Sequence, residues 1–109
     1  MNETAQRWLD QAAAIPGVLA GGVRHADQSV LVKSCDDRFP VEEIEKVVRE
    51  LGETIPLLQN FGIAAGRLRW TFESAWLHSA VRTDGAVAVL VVTRQIESSP
   101  EVEQLLAGF

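Results

Sequence analysis

Few residues in this chain of 109 could do chemistry: two histidines, His25 and His78, one cysteine, Cys35, and the acidic group Glu42, Glu43 and Glu45. A metal ion needs several His, Cys or carboxylate ligands brought together, and none of these residues stands at a recognised ligand spacing. A nucleophile needs a base and a means of stabilising developing charge, yet Cys35 and the serines lie in no G-x-S-x-G or comparable setting. Cys35 is expected to be a buried residue at a strand end. His78, between Leu77 and Ser79, reads as a hydrogen-bonded structural histidine on a strand. The three glutamates fall near a helix start, where acidic side chains favour the positive dipole end and form a solvated face rather than an acid-base pair. Gly21-Gly22 lacks both the GxGxxG spacing and the following helix of a dinucleotide loop. A bulge or close helix packing is the expected reason for these glycines, and a ligand approaching the backbone is the alternative. No residue is therefore assigned to catalysis, to a cofactor or to a metal, and the chain is read as a non-enzyme.

Charge narrows the partners. The formal net charge is −5 and the pI near 4.9, with no block of basic residues to attract a phosphate backbone, so nucleic acid is not an expected partner. Arg67 and Arg69 stand on one strand, where a solvated face is the ordinary reading and a phosphate site the sharper one. No apolar run approaches the roughly 20 residues of a bilayer span, so no membrane insertion is expected. The single cysteine cannot close an internal disulfide, and Met1-Asn2-Glu3-Thr4 has none of the features of a leader; together these predict a cytoplasmic protein.

The elements that would position these residues follow from periodicity. Ala5, Trp8, Leu9, Ala12 and Ala13 recur at helical spacing over 4–14, and Pro16-Gly17 stops that helix. Strands are predicted over 18–25 and 29–35, joined into a hairpin by Ala26-Asp27-Gln28. Asp37 or Arg38 lies near the start of a long helix with Pro40 in its first turn, running to about Phe61. Its apolar residues Val41, Ile44, Val48, Leu51, Ile55 and Leu58 step by three and four, and Val47, Leu57 and Phe61 widen the stripe beyond one side. Gly52 and Pro56 interrupt the pattern, predicting a kink near Thr54 or a break into two helices.

Leu68, Trp70 and Phe72 alternate with polar residues, the period of a half-buried strand. A two-residue turn at Ser74-Ala75 would pair Phe72 with Leu77, Trp70 with Ser79 and Leu68 with Val81. Asp84-Gly85 suits a type I′ turn and leads into the continuous apolar run Ala86 to Thr93, the mark of a central strand covered on both faces. Ser99-Pro100-Glu101 starts a last helix through Val102, Leu105 and Leu106. The resulting fold class is α/β, a three-layer α-β-α sandwich in one domain over 1–109, with element order α-ββ-α-βββ-α.

That order, with Gly66-Arg-Leu-Arg-Trp-Thr-Phe, Asp84-Gly85-Ala-Val-Ala-Val-Leu-Val-Val and Val102-Glu-Gln-Leu-Leu, resembles the Roadblock dynein-light-chain family over about residues 4–107. The resemblance implies a mostly antiparallel five-stranded sheet of order 2-1-5-4-3, with the long helix on one face and the terminal helices on the other. It also implies a noncatalytic dimer that regulates or scaffolds a small Ras-like GTPase, or serves a signalling or motility assembly. The alternative reading is a small-molecule sensor of profilin-like α/β architecture, in which Trp76 and His78 line a pocket. A homodimer is expected because the long helix is apolar on more sides than one sheet can cover and the third strand would leave an edge open. Ile44, Val48, Leu51, Ile55, Leu58, Leu68, Trp70 and Phe72 are the expected interface, and Arg67 and Arg69 the candidate partner contacts near the long helix.

Overall fold

The computed structural model describes residues 3–62, 66–71, 75–82, 84–93 and 100–109. Along the chain come α1 (Glu3–Ala13), β1 (Val18–Arg24), β2 (Val30–Ser34), α2 (Val41–Asn60), β3 (Arg67–Thr71), β4 (Ala75–Val81), β5 (Val87–Thr93) and α3 (Pro100–Ala107). The strands form one antiparallel sheet in the order β2-β1-β5-β4-β3.

Side-chain alternation along the strands sorts the apolar residues into two clusters, one on each face. Leu9, Ala12 and Trp8 of α1 and Val102 and Leu106 of α3 pack with Val23, Ala88, Leu90 and Val92. On the other face Ile44, Val48 and Ile55 of α2 pack with Ala20, Leu77, Val87, Val89 and Val91. Every residue of β5 but Thr93 is buried, as its unbroken apolar run requires. A register shift between Val18 and Ala20 places Val18 with the α1 cluster and Ala20 with the α2 cluster, although two residues apart would otherwise share a face.

Gly21 and Gly22 let α1 and α2 approach β1 closely, one on each face of the sheet. A Cβ on Gly21 would sit 3.0 Å from Leu90 Cδ2 and 3.1 Å from Leu9 Cδ2, and one on Gly22 would sit 2.6 Å from Val48 Cγ2. Their absence of side chains is thus explained by close packing from both layers.

The structure departs from the sequence reading at several points. Trp70 pairs with Leu77 and Leu68 with Ser79, a register two residues away from the expected one. Such a shift keeps every side chain on its face, so apolar alternation is blind to it. Ala75, expected in a turn, begins β4 opposite Thr93; Phe72 and Ser74 lie outside the described residues. The Asp84-Gly85 turn is not type I′: Gly85 has φ +93°, but Gln28 is the one non-glycine with positive φ among the described residues. The hydrogen bonds Arg82 N–H to Ala86 O at 2.9 Å and Gly85 N–H to Arg82 O at 3.0 Å instead bracket a three-residue loop. Asp84 stabilises it by accepting from Ala86 N–H at 3.0 Å and from the Arg82 guanidinium.

The start of α2 also moves. Asp36 accepts the Arg38 N–H at 2.9 Å, holding 36–39 in a turn, and Pro40 occupies the N-cap in an extended conformation. The helix then runs unbroken to Asn60 through Pro56, so it is one helix and not two. An interior proline costs about 3 kcal/mol; burial of Ile55 beside it returns about 1.5–3 kcal/mol. Cys35 is exposed rather than buried, because its backbone N–H pairs with Leu19 O just beyond the last residue of β2. The Ser99 cap lies outside the described residues.

Candidate functional site

The long helix divides its apolar residues between two jobs. Ile44, Val48 and Ile55, at 2%, 0% and 1% exposure, face the chain's own sheet. Buried in the chain's own core, they serve the fold, and among the described residues the part of the expected interface that is not fully buried is Leu51, Leu58, Leu68 and Trp70. A second row, Val47, Leu51, Thr54, Leu58 and Phe61, steps by four and three and lies roughly a quarter-turn round the helix from the core-facing row. Val47, Leu51 and Leu58 are half-buried at the margin of the α2 cluster, while Phe61 is 82% exposed. Val47 and Phe61 were visible in the sequence as the widening of the stripe, although their separation from the core row was not.

On the same face of the sheet, α2 crosses β1, β2 and β5, whereas β4 and β3 extend beyond it. Leu68 and Trp70 of β3 point to this side and are half-buried against the α2 cluster. β3 is the last strand of the sheet among the described residues, and one row of its backbone N–H and C=O groups has no strand of these beside it. Beside Leu68 stands Ser79, fully buried, whose Oγ has no hydrogen-bond partner among the described residues. An orphaned buried hydroxyl costs about 1–3 kcal/mol. Leu51 and Leu58 of α2 and Leu68 and Trp70 of β3 thus all lie half-buried at the margin of the same cluster, with Phe61 on the same helix flank as Leu58.

Arg67 and Arg69 lie on the opposite face. Arg67 Nη2 is 2.8 Å from Glu103 Oε2 of α3, and the Arg69 guanidinium carbon is 4.9 Å from the centre of the Trp76 ring. They therefore cannot share a contact surface with the α2 flank, because adjacent positions in a strand point to opposite sides of the sheet. Trp76 meets His78 edge-on at 6.4 Å. That contact packs the His78 ring against Trp76.

Partial burial pushes the His78 pKa below the usual histidine value, with Arg69 and Arg67 adding to the effect and Glu103 opposing it. The unfolded chain then binds a proton more readily than the folded one. Stability should be full above the unfolded value of about 6.5 and should fall as pH drops from there through the lower folded value. The exposed carboxylates Asp10, Asp27, Asp36 and Asp84, with pKa values depressed chiefly by side-chain hydrogen bonds from Lys33, Ser29, Arg38 and Arg82 respectively, act in a separate, more acidic window. Urea denaturation between neutral and mildly acidic pH should show the first loss, and His78→Gln should remove it; an unchanged slope in the variant would mean that another group is responsible.

His25 lies at the end of β1, where its Nδ1 is 3.3 Å from both the carbonyl and hydroxyl oxygens of Ser29. Among the described residues no three His, Cys, Asp or Glu side chains gather as metal ligands, and no helix is long and apolar enough to cross a membrane. Glu45 pairs with Arg49 at 3.1 Å across one helical turn, an exposed contact. The arrangement presents an apolar helix flank on α2 and, at one end of the sheet, the half-buried apolar face of β3.

No family model matches the sequence, and no curated protein matches it. Eight chains of solved structures match the fold. Among them is the crystal structure of a Roadblock/LC7 domain from Streptomyces avermitilis, with a TM-score of 0.61, 15% sequence identity, and coverage of 93% of this chain and 91% of that one. The chain is similar in fold to that domain, and its element order and sheet order are those that the resemblance in sequence implied.

Proposed function

We propose that this chain is a noncatalytic protein-binding domain acting as a homodimer, and that the dimer serves as a platform for a small Ras-like GTPase or another protein of a signalling or motility assembly. The observation that carries the dimer is the α2-side surface: Leu51, Leu58, Leu68 and Trp70 half-buried, Phe61 82% exposed, and β3 open along one edge. Isolated apolar residues at a surface are ordinary; here a helix flank and the face of an end strand both border one cluster, and that shared border supports reading them together. A two-fold contact would cover the flank with its own copy and let the two β3 strands pair into a continuous sheet. The similarity in fold to a Roadblock/LC7 domain supports the GTPase reading by analogy only.

Light scattering at micromolar concentration should return twice the 11.9 kDa chain mass. A monomer under these conditions would overturn the dimer. Binding of candidate GTPases from the same cell, loaded with GDP or a nonhydrolysable GTP analogue, tests the partner. A dimer that holds none of them in either state would be a scaffold for a different protein class. If a GTPase binds, ordering of its switch loops is the available route to regulation, since the patch offers no catalytic side chain.

A further inference from the structure

At the end of the sheet where the β1–β2 and β4–β5 turns meet the start of α1 and the end of α3, the surface folds in to a cleft of about 260 Å³. Ala5, Trp8 and Val23 form part of its wall, Phe109 closes it, and His25 and Arg82 supply polar groups. This place is distant in the fold from the α2 flank: its walls belong to the α1 and α3 face of the sheet.

The polar groups are set for an anion. Trp8 Nε1 donates to Leu105 O at 3.1 Å, so the indole offers the cleft only carbon surface. The ring of Phe109 lies 5.4 Å from that of Trp8, tilted by 57°, so the two rings touch and form one aromatic wall. The Arg82 guanidinium carbon lies 4.9 Å from the centre of the Phe109 ring. Asp84 takes the Nε and Nη2 hydrogens of Arg82 at 3.3 and 2.8 Å, which fixes the planar fork and leaves its remaining N–H donors free of that contact. None of the described residues lining the cleft carries a carboxylate side chain, although the chain as a whole has a net charge of −5. Asp84 offsets the Arg82 charge, so what the cleft offers an anion is a set of oriented N–H donors on an apolar, aromatic wall.

We infer that this cleft is a binding site for a small amphipathic anion, one with a single-ring or similarly compact apolar body against the wall that Trp8 and Phe109 form and an oxyanion held by Arg82 and His25. The volume sets the size: it lies just below the roughly 300 Å³ at which sites for drug-sized ligands begin. Carboxylates and phosphomonoesters share the required chemistry. Asp84 is a positioning residue, acting through the orientation of Arg82.

The test is amide and indole proton NMR on the full chain, titrated with phenylacetate, phenyl phosphate, inorganic phosphate and benzyl alcohol. Either aromatic anion should shift the Trp8 indole and Gly108 amide signals in a saturable way, and the tighter of the two assigns the natural ligand to carboxylates or to phosphomonoesters. Benzyl alcohol and inorganic phosphate, each lacking one half of the recognised group, should bind at least about tenfold more weakly. Arg82→Gln, checked for an otherwise retained spectrum, should weaken the anion by a similar factor. The inference fails if neither aromatic anion shifts these signals, if the neutral alcohol or bare phosphate binds as tightly, or if the response arises elsewhere. Because the comparison among ligands uses the unaltered protein, it decides the matter even if the variant does not fold.

Discussion

Gly22→Ala should destabilise this protein by about 1–3 kcal/mol, the range for forcing an extra methyl into a packed core. The added Cβ would stand 2.6 Å from Val48 Cγ2, and Val48 is fully buried on a helix. A β-branched side chain in a helix has one strongly preferred χ1 rotamer, so the methyl cannot swing aside without strain. Gly21→Ala should cost less, since the atoms met at 3.0 and 3.1 Å are the ends of leucine side chains with more torsional freedom. A double-mutant cycle separates collision from any general effect of replacing glycine. Val48→Ala alone loses buried apolar surface, about 1.5–3 kcal/mol at most, but removes the obstructing methyl. The pair Gly22→Ala, Val48→Ala should therefore be more stable than the sum of the single changes predicts, with a coupling of about 0.5–3 kcal/mol. Chemical denaturation measures all four proteins; strict additivity would show that Gly22 is there for a reason other than the approach of α2.

The second large effect concerns association. Leu58→Glu should convert the proposed dimer to a folded monomer at micromolar concentration, because an isologous contact carries each substitution twice and buries an unpaired carboxylate in an apolar patch. A central interface residue is worth about 2–4 kcal/mol, or roughly 30- to 1000-fold in Kd. Leu58 also packs at the margin of its own core, so a loss of dimer could reflect unfolding. Phe61→Ser guards against that: Phe61 is 82% exposed, and its replacement should weaken the dimer while leaving the circular dichroism and denaturation midpoint of the monomer unchanged. Dimers that persist in both variants would place the contact on another surface and remove the basis for reading α2 as bifunctional.

Much of the architecture was legible because it depends on local periodicity. The strand-forming stretches over 18–25 and 29–35, the helical spacing of Ala5, Trp8, Leu9 and Ala12, and the uninterrupted run over 86–93 each translate into a type of element, and the last into two covered faces. From these come the α-ββ-α-βββ-α order and a sheet buried between helical layers. Legibility ended where two arrangements share one period. The β3–β4 register shifted by two residues keeps Leu68 and Trp70 on the same side, and a three-residue loop brackets Asp84-Gly85 as readily as a two-residue turn. Neither choice changes the pattern of apolar residues.

The amino-acid sequence by itself determined which residues are apolar, how they repeat, and that α2 carries more apolar surface than a single sheet can cover. Only the tertiary structure decided how that surface is shared out. Ile44, Val48 and Ile55 close the core, while Leu51, Leu58 and Phe61 turn to its margin or to solvent, a distinction set by the angle at which α2 lies on β1, β2 and β5. The same holds for the cleft beside Phe109: Trp8, His25, Arg82 and Phe109 are spread along nearly the whole chain and carry no shared motif. A sequence pattern records neighbours along a helix or strand, whereas an interface or a cleft is made by neighbours in space, and those are fixed by how the layers pack.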